Sequence, residues 1–273
     1  MQIFRSIKDL KVYRNSLNSR VGFVPTMGAL HEGHASLIKK CREENEAVFV
    51  STFVNPTQFL PNEDFEKYPK NEEADIKICE SLGVDALFIP KADEMYSNIE
   101  PKITAPSELS TILEGATRPG HFDGVLTVLN KFFNIVRPKN VYMGKKDAQQ
   151  LIIVKNMVKS MFLDIHIEPC EIVRESDGLA LSSRNVYLDE EEKLMALKIS
   201  RALLKASNLV KDSEFDVKSI KPQMLNILEP LKVDYIAFVD REFNEISQIE
   251  LSNSIILIAA YVGKTRLIDN IWL

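Results

Sequence analysis

The chain is expected to fold as an α/β protein on an open, mostly parallel sheet, followed by a small α+β domain. Three observations point there. Over the first two-thirds of the 273 residues, short Val-, Ile- and Phe-rich runs alternate with helix-spaced segments, the pattern of repeated strand, crossover helix and parallel strand. One run, Ala47–Val54, is apolar almost throughout, as a strand buried on both faces is. After about Arg184 the order changes to helices followed by strands.

The elements follow in order. Val21–Pro25 reads as a strand, then comes a glycine-containing turn and an amphipathic segment from about His34 to Glu44. The Ala47–Val54 strand is followed by helical spacing over Glu72–Leu82 and by a strand at Asp85–Pro90. Asp123–Val136 is a long apolar-striped helix, stopped by the Pro138 region. Val141–Gly144 reads as a strand end, Ala148–Phe162 as a helix and Ile165–Ile167 as a further strand. Beyond the change of pattern, Asp189–Leu209 and Asp216–Leu228 read as helices and Tyr235–Val239 and Ile255–Val262 as strands, before an apolar ending, Arg266–Leu273. The domains are placed at 1–175 and 176–273, with the cut inside 175–185. In an open parallel sheet, ligands sit outside the carboxyl ends of the strands.

Composition narrows the function. A net charge of −5 lacks the basic face that phosphate-backbone affinity needs, so nucleic acid is not an expected partner. No apolar run approaches the length of a membrane span, and the first residues lack the apolar core of a signal peptide. A cytoplasmic protein is expected. Cys41, Cys79 and Cys170 have neither zinc-site nor CxxC spacing and read as reduced, packed thiols.

The strongest local signal is Pro25-Thr26-Met27-Gly28-Ala29-Leu30-His31-Glu32-Gly33-His34, which runs from the first strand into the next helix. Its glycines allow close backbone approach, and a helix N-terminus offers N–H groups and positive potential to phosphate. Three residues apart, His31 and His34 can face one phosphate on the first helical turn. A metal site would want a third ligand, and only Glu32 stands near. Helix-capping or core histidines are the structural alternative. Two of the chain's four histidines in one glycine-flanked turn weigh against it.

Four further segments carry polar groups at strand ends. Asn55 and Gln58, in Thr52-Phe53-Val54-Asn55-Pro56-Thr57-Gln58-Phe59, suit a hydroxy acid, although an Asx-Pro turn explains the same residues. Gly115–Val125, with Arg118 and His121, reads as a mobile or binding loop, or as a surface loop ending in a cap at Asp123. In Gly144-Lys145-Lys146-Asp147-Ala148-Gln149-Gln150, Lys146 can reach a phosphate and Gln150 can project from the next helix; two solvated lysines beside an Asp147 cap are the alternative. In Arg174–Asn185, Ser182, Ser183 and Arg184 form a compact phosphate-gripping set after an Asp177-Gly178 turn.

Together these motifs, from about residue 20 to 185, resemble the pantoate–β-alanine ligase family. The HxGH element at His31–His34 is shared with a wider nucleotidyltransferase superfamily. FVNPTQF, GATRPGHFDGV, GKKDAQQL and DGLALSSRN are more restrictive, and the Arg266–Asn270 ending is similar to the family's. The resemblance implies a Rossmann-like N-terminal domain with helices on both faces of its sheet, a smaller C-terminal domain closing over the site, and homodimers. It implies that ATP, carrying Mg2+ mainly on the nucleotide with no ion assigned to the protein, activates pantoate as an adenylate that β-alanine then attacks. Met27 to His34, entered through Pro25 and Thr26, look like the ATP-binding turn. Gly144, Lys145, Lys146, Asp147, Val173, Leu181, Ser182, Ser183 and Arg184 look like further ATP contacts. Asn55, Gln58 and Gln150 look like the substrate-binding set; His34, His31, Lys146, Ser182, Ser183 and Arg184 look like the catalytic one. The family commonly has Met where Leu181 stands, an apolar exchange that leaves the serine and arginine roles in place. The other reading is an HxGH nucleotidyltransferase acting on a different small carboxylate or phosphate acceptor.

Overall fold

The computed structural model describes residues 1–61 and 63–273. The chain divides into two compact units, one of Met1–Gly144 with Ile153–Cys170 and one of Lys145–Ile152 with Glu171–Leu273.

The first unit is built on six strands: β1 (Gln2–Phe4), β2 (Val21–Thr26), β3 (Ala47–Thr52), β4 (Ala86–Phe88), β5 (Asn140–Gly144) and β6 (His166–Cys170). All neighbours are parallel, in the order β1-β4-β3-β2-β5-β6. All six residues of β3 are buried, which is why its sequence is apolar without alternation. β2 and β3 run in register from Val21 opposite Ala47 to Thr26 opposite Thr52, so they end side by side. From β2 the chain steps to β3, while β5 lies on the other side of β2. The carboxyl ends here form the switch point where open sheets take ligands.

The helices are α1 (Ile7–Ser16), α2 (Glu32–Glu44), α3 (Glu72–Ser81), the short α4 (Ala92–Met95), α5 (Ser107–Ser110) and α6 (Leu113–Thr117), then α7 (His121–Val136), α8 (Ala148–Ser160), α9 (Glu190–Lys211) and α10 (Val217–Leu228). In α2 the buried residues are Ala35, Leu37, Ile38 and Cys41, three and four apart along one face. With Val24, Val48, Val50, Leu87 and Tyr142, the last three of these form part of a single apolar cluster. In the second unit β7 (Lys232–Asp240), β8 (Ser254–Val262) and β9 (Thr265–Trp272) form an antiparallel sheet. Ala196, Leu203 and Ala206 of α9 and Met224 of α10 share its core with Ile256 and Ile258. Asp189 caps α9 in a reciprocal box with Glu192, at 2.8 and 3.2 Å.

Several expectations change in detail. β1 and α1 add to the elements legible in the sequence, and the apolar ending is the strand β9. α7 begins at His121 rather than Asp123. Gly120 enters it at φ 81°, and Asp123 accepts a hydrogen bond from Ala105 N at 2.8 Å instead of capping the helix. The three cysteines are buried and none is in a disulfide; burial pushes the Cys41 and Cys79 thiols up to about 12. Among the described residues, no helix is long and apolar enough to cross a membrane.

Candidate active site

Thr26 ends β2 and its hydroxyl donates to Ser51 O at 2.7 Å while accepting from Gly28 N at 3.1 Å. Gly28 then takes φ 84°, and a Cβ there would stand 3.0 Å from an Asp75 oxygen. Asp75, on α3 and almost fully buried, spans the turn. Its Oδ2 accepts from Ala29 N at 3.0 Å and its Oδ1 from Leu30 N at 2.7 Å. Burial pushes this carboxyl above its ordinary value, and the two N–H bonds oppose the shift. These two N–H groups of the turn ahead of α2 are bound by Asp75. Asp75→Ala should strand two N–H groups and lower stability by about 3 kcal/mol, given ~1–3 kcal/mol for each buried group left unpaired. An unchanged urea midpoint would refute that role.

At the start of α2 the two histidines cap the helix reciprocally. His31 Nδ1 accepts from Gly33 N at 3.1 Å, and His34 Nδ1 accepts from His31 N at 3.4 Å. The rings lie 4.1 Å apart, centroid to centroid. The capping alternative is therefore realised, and it uses the Nδ1 atoms. In the neutral rings each proton then resides on Nε2, the atom that reaches farthest from the backbone. Capping thus engages Nδ1 of both residues.

Beside this turn, Pro56–Gln58 forms one turn of 3-10 helix after β3, with Asn55 capping it through Thr57 N. Asn55 is buried and its amide is fully committed. Nδ2 donates to Gln58 Oε1 at 3.0 Å and to Gly124 O at 3.2 Å, and Oδ1 accepts from the Tyr96 hydroxyl at 2.6 Å. Asn55 therefore orients Gln58. With Oε1 occupied, Gln58 addresses its surroundings as a donor through Nε2, which also approaches Met27 Sδ at 3.3 Å.

The Gly115–Val125 segment folds into α6 and the first turn of α7. His121 is buried there, facing Arg118, Glu63, Glu114 and the Gln58 carbonyl. Burial, then the Arg118 charge, lower its pKa to about 4, against the opposing effect of Gln58 O, Glu63 and Glu114. Folded protein keeps this ring neutral while an unfolded chain protonates below about pH 6.5. The unfolded state then binds more protons, so stability falls as pH drops from 6.5 to 4 and levels off below. His121→Asn should remove up to about 3 kcal/mol of that fall. Parallel stability–pH curves for wild type and variant would contradict it.

The second unit has its own polar group. Arg174 pairs with Ala180 in an isolated antiparallel bridge, Leu181 N donates to Val173 O at 3.0 Å, and Gly178 turns the hairpin at φ 101°. This brings Val173 and Leu181 face to face and delivers Ser182 as the cap of the 3-10 turn Ser183–Tyr187. Arg174 clamps the buried Asp269 with two bonds, at 2.6 and 2.9 Å. The neighbouring Asn270 Nδ2 donates to Lys145 O at 3.0 Å and Lys146 O at 2.7 Å. Two residues of β9 thus tie the Lys145–Asp147 turn and the serine hairpin into one unit. The lysines differ: Lys145 pairs with Glu171 and lies over the Trp272 ring, whereas Lys146 has no ion-pair partner among the described residues. Gln150 is half-buried on the first turn of α8.

Thr26, Asp75, Tyr96, Asp269 and Asn270 hold these groups in place. Of these, Asp75 and Tyr96 carried no sequence signal, because their partners lie some forty residues away.

A parallel α/β unit whose second strand enters a histidine-capped helix, next to a turn that presents an oriented glutamine, defines an α/β enzyme of the HxGH type. The model of the Pantoate-beta-alanine ligase family matches residues 2–272. The chain belongs to that family. It is 71% identical over 273 residues to the pantothenate synthetase of Campylobacter hominis and 51% identical over 275 residues to that of Helicobacter pylori, covering the whole of both chains in each case. The crystal structure of pantothenate synthetase from Thermus thermophilus matches with a TM-score of 0.94 at 38% identity over 99% of each chain. The pantoate–β-alanine ligase of Francisella tularensis, complexed with β-γ ATP and β-alanine, matches with a TM-score of 0.82 at 40% identity, over 100% of this chain and 97% of that one.

Proposed function

We propose that the protein condenses pantoate with β-alanine, using ATP, to give pantothenate, AMP and pyrophosphate through an enzyme-held pantoyl-adenylate. The observation that carries this reading is the family match along residues 2–272, and the histidine cap supplies the chemistry the first step needs. A pantoate carboxylate oxygen attacks the α-phosphorus and the bond to pyrophosphate breaks. The carboxylate is already ionised near neutral pH, so no general base is required. Alignment and cancellation of phosphate charge are required instead. His31 and His34 donate through Nε2 beside the positive end of α2. Lys146, Ser182, Ser183 and Arg184 supply further donors and charge, while Gly144, Lys145, Asp147, Val173 and Leu181 border the nucleotide. Gln58 and Gln150 hold the hydroxy acid, and Asn55 orients Gln58.

In the second step the amine of β-alanine attacks the acyl carbon, the bond to AMP breaks and the amine loses its proton to solvent. Magnesium would be carried by the nucleotide. Such an ion keeps several waters, and phosphate oxygens would be its main ligands. There it would neutralise charge on the departing pyrophosphate. A cytoplasmic homodimer belongs to the same proposal and rests on the family resemblance. A product assay tests the reading. AMP appearing with an amide supports it; a nucleotide conjugate of the acid in place of AMP would replace it with nucleotidyl transfer.

A further inference from the structure

The reaction above uses Gln58 but gives no role to the Arg118–His121 segment, although its polar groups converge on that residue. Gln58 O accepts from His121 Nδ1 at 2.8 Å and from Arg118 Nη2 at 3.2 Å. Arg118 Nη1 also lies 3.1 Å from His121 Nε2. A guanidinium can only donate, so Nε2 must accept, and the imidazole proton must sit on Nδ1, aimed at the Gln58 carbonyl. One tautomer satisfies all three contacts. Arg118 is in turn held by Glu63 through two bonds, at 2.6 and 2.7 Å, and Glu63 accepts from Leu60 N at 3.0 Å. Glu63 balances the Arg118 charge, and its own carboxyl, raised by burial, is brought below its ordinary value by Arg118 and the Leu60 N–H.

Helix packing completes the clamp. A Cβ on Gly124 would stand 2.3 Å from Thr57 O, so only glycine lets the first turn of α7 come this close to the Asn55–Gln58 turn. Gly124 O then accepts from Asn55, the residue that also holds Gln58 Oε1. Gln58 is thus gripped at its main chain by one set of residues and at its amide oxygen by another, leaving Nε2 as its donating end.

We infer that Arg118 and His121, braced by Glu63, are positioning residues that set Gln58 for the acid substrate by holding its main-chain carbonyl. They touch no reactant and transfer no proton. The inference rests on Gln58 being a pantoate ligand, as proposed above, and predicts an effect on pantoate rather than on ATP.

Two variants of the full-length protein separate hydrogen bonding from packing. His121→Ala removes the donor. His121→Asn restores it, because the asparagine Nδ2 falls near the position of the imidazole Nδ1. In assays of pantoate-dependent pyrophosphate release, His121→Ala should raise the KM for pantoate about tenfold, the scale of one lost hydrogen bond. The KM for ATP should stay within about twofold, and His121→Asn should recover most of the loss. An unchanged pantoate KM in folded His121→Ala, equal rises in both KM values, or no recovery by asparagine would overturn the inference. Glu63→Gln, which leaves the histidine in place and weakens the hold on Arg118, should raise the pantoate KM a few-fold and serves where His121→Ala does not fold. Crystal structures of the variants provide a readout independent of substrate. The Gln58 main chain should shift in His121→Ala and return in His121→Asn; an unmoved Gln58 in the alanine variant also overturns the inference. Wild-type protein that releases no pyrophosphate with pantoate refutes the functional reading instead, and the crystallographic comparison then decides the positioning role.

Discussion

His34→Ala is expected to slow pantoate-dependent pyrophosphate release by roughly two to three orders of magnitude, the usual effect of removing one charge-stabilising donor from a transition state. Alanine removes two things at once. It deletes the Nε2 donor, and it deletes the Nδ1 atom that accepts from His31 N. The second loss is a capping defect of about 1 kcal/mol in stability and does not account for the rate. His34→Asn distinguishes the two, since its Oδ1 occupies nearly the place of Nδ1 and has no counterpart to Nε2. The asparagine variant should unfold at close to the wild-type urea midpoint yet react as slowly as alanine. A near wild-type rate in His34→Asn would mean that the histidine serves the helix and not the phosphate.

Lys146→Ala should lose a similar two to three orders of magnitude in the same step, while Lys145→Ala should lose far less. The sequence singles out Lys146 for phosphate, and the surroundings of the two lysines differ. Lys145 is engaged with Glu171 and the Trp272 ring, and the carbonyls of both residues are held by Asn270. This fixes the backbone of the turn while the Lys146 ammonium remains available to an anion. ATP–pyrophosphate exchange with pantoate measures the effect. Equal losses in the two variants, or exchange at the wild-type rate in Lys146→Ala, would contradict the assignment.

What the sequence made legible follows from what is local. β3 was visible because a doubly buried strand needs no polar face, and α2 because Leu37, Ile38 and Cys41 recur at helical spacing. The histidine turn was visible because its chemistry lies within four consecutive positions. β1 was not, since three residues leave no period to read and its partner β4 lies more than eighty residues away. α1 buries only Leu10, so its pattern resembles a solvated segment. Asp75 lies in an acidic first turn that reads as ordinary helix-end charge, and only the folded chain shows it beneath Ala29 and Leu30. In the sequence Asn55 resembles a ligand, and the structure gives every hydrogen-bonding group of its amide a protein partner. Asp269 and Asn270 lie in a segment that resembles the family's but points to no role by itself; their contacts with Arg174 and the lysine turn supply one.

The most direct test of the whole account is pyrophosphate release from ATP and magnesium with pantoate alone, followed by addition of β-alanine. The account predicts pyrophosphate release that depends on pantoate, in a burst near one equivalent per site, with AMP and the amide product appearing only after β-alanine arrives. Release that ignores pantoate, or AMP that appears only with all three substrates present and no earlier pyrophosphate, would contradict an enzyme-held adenylate.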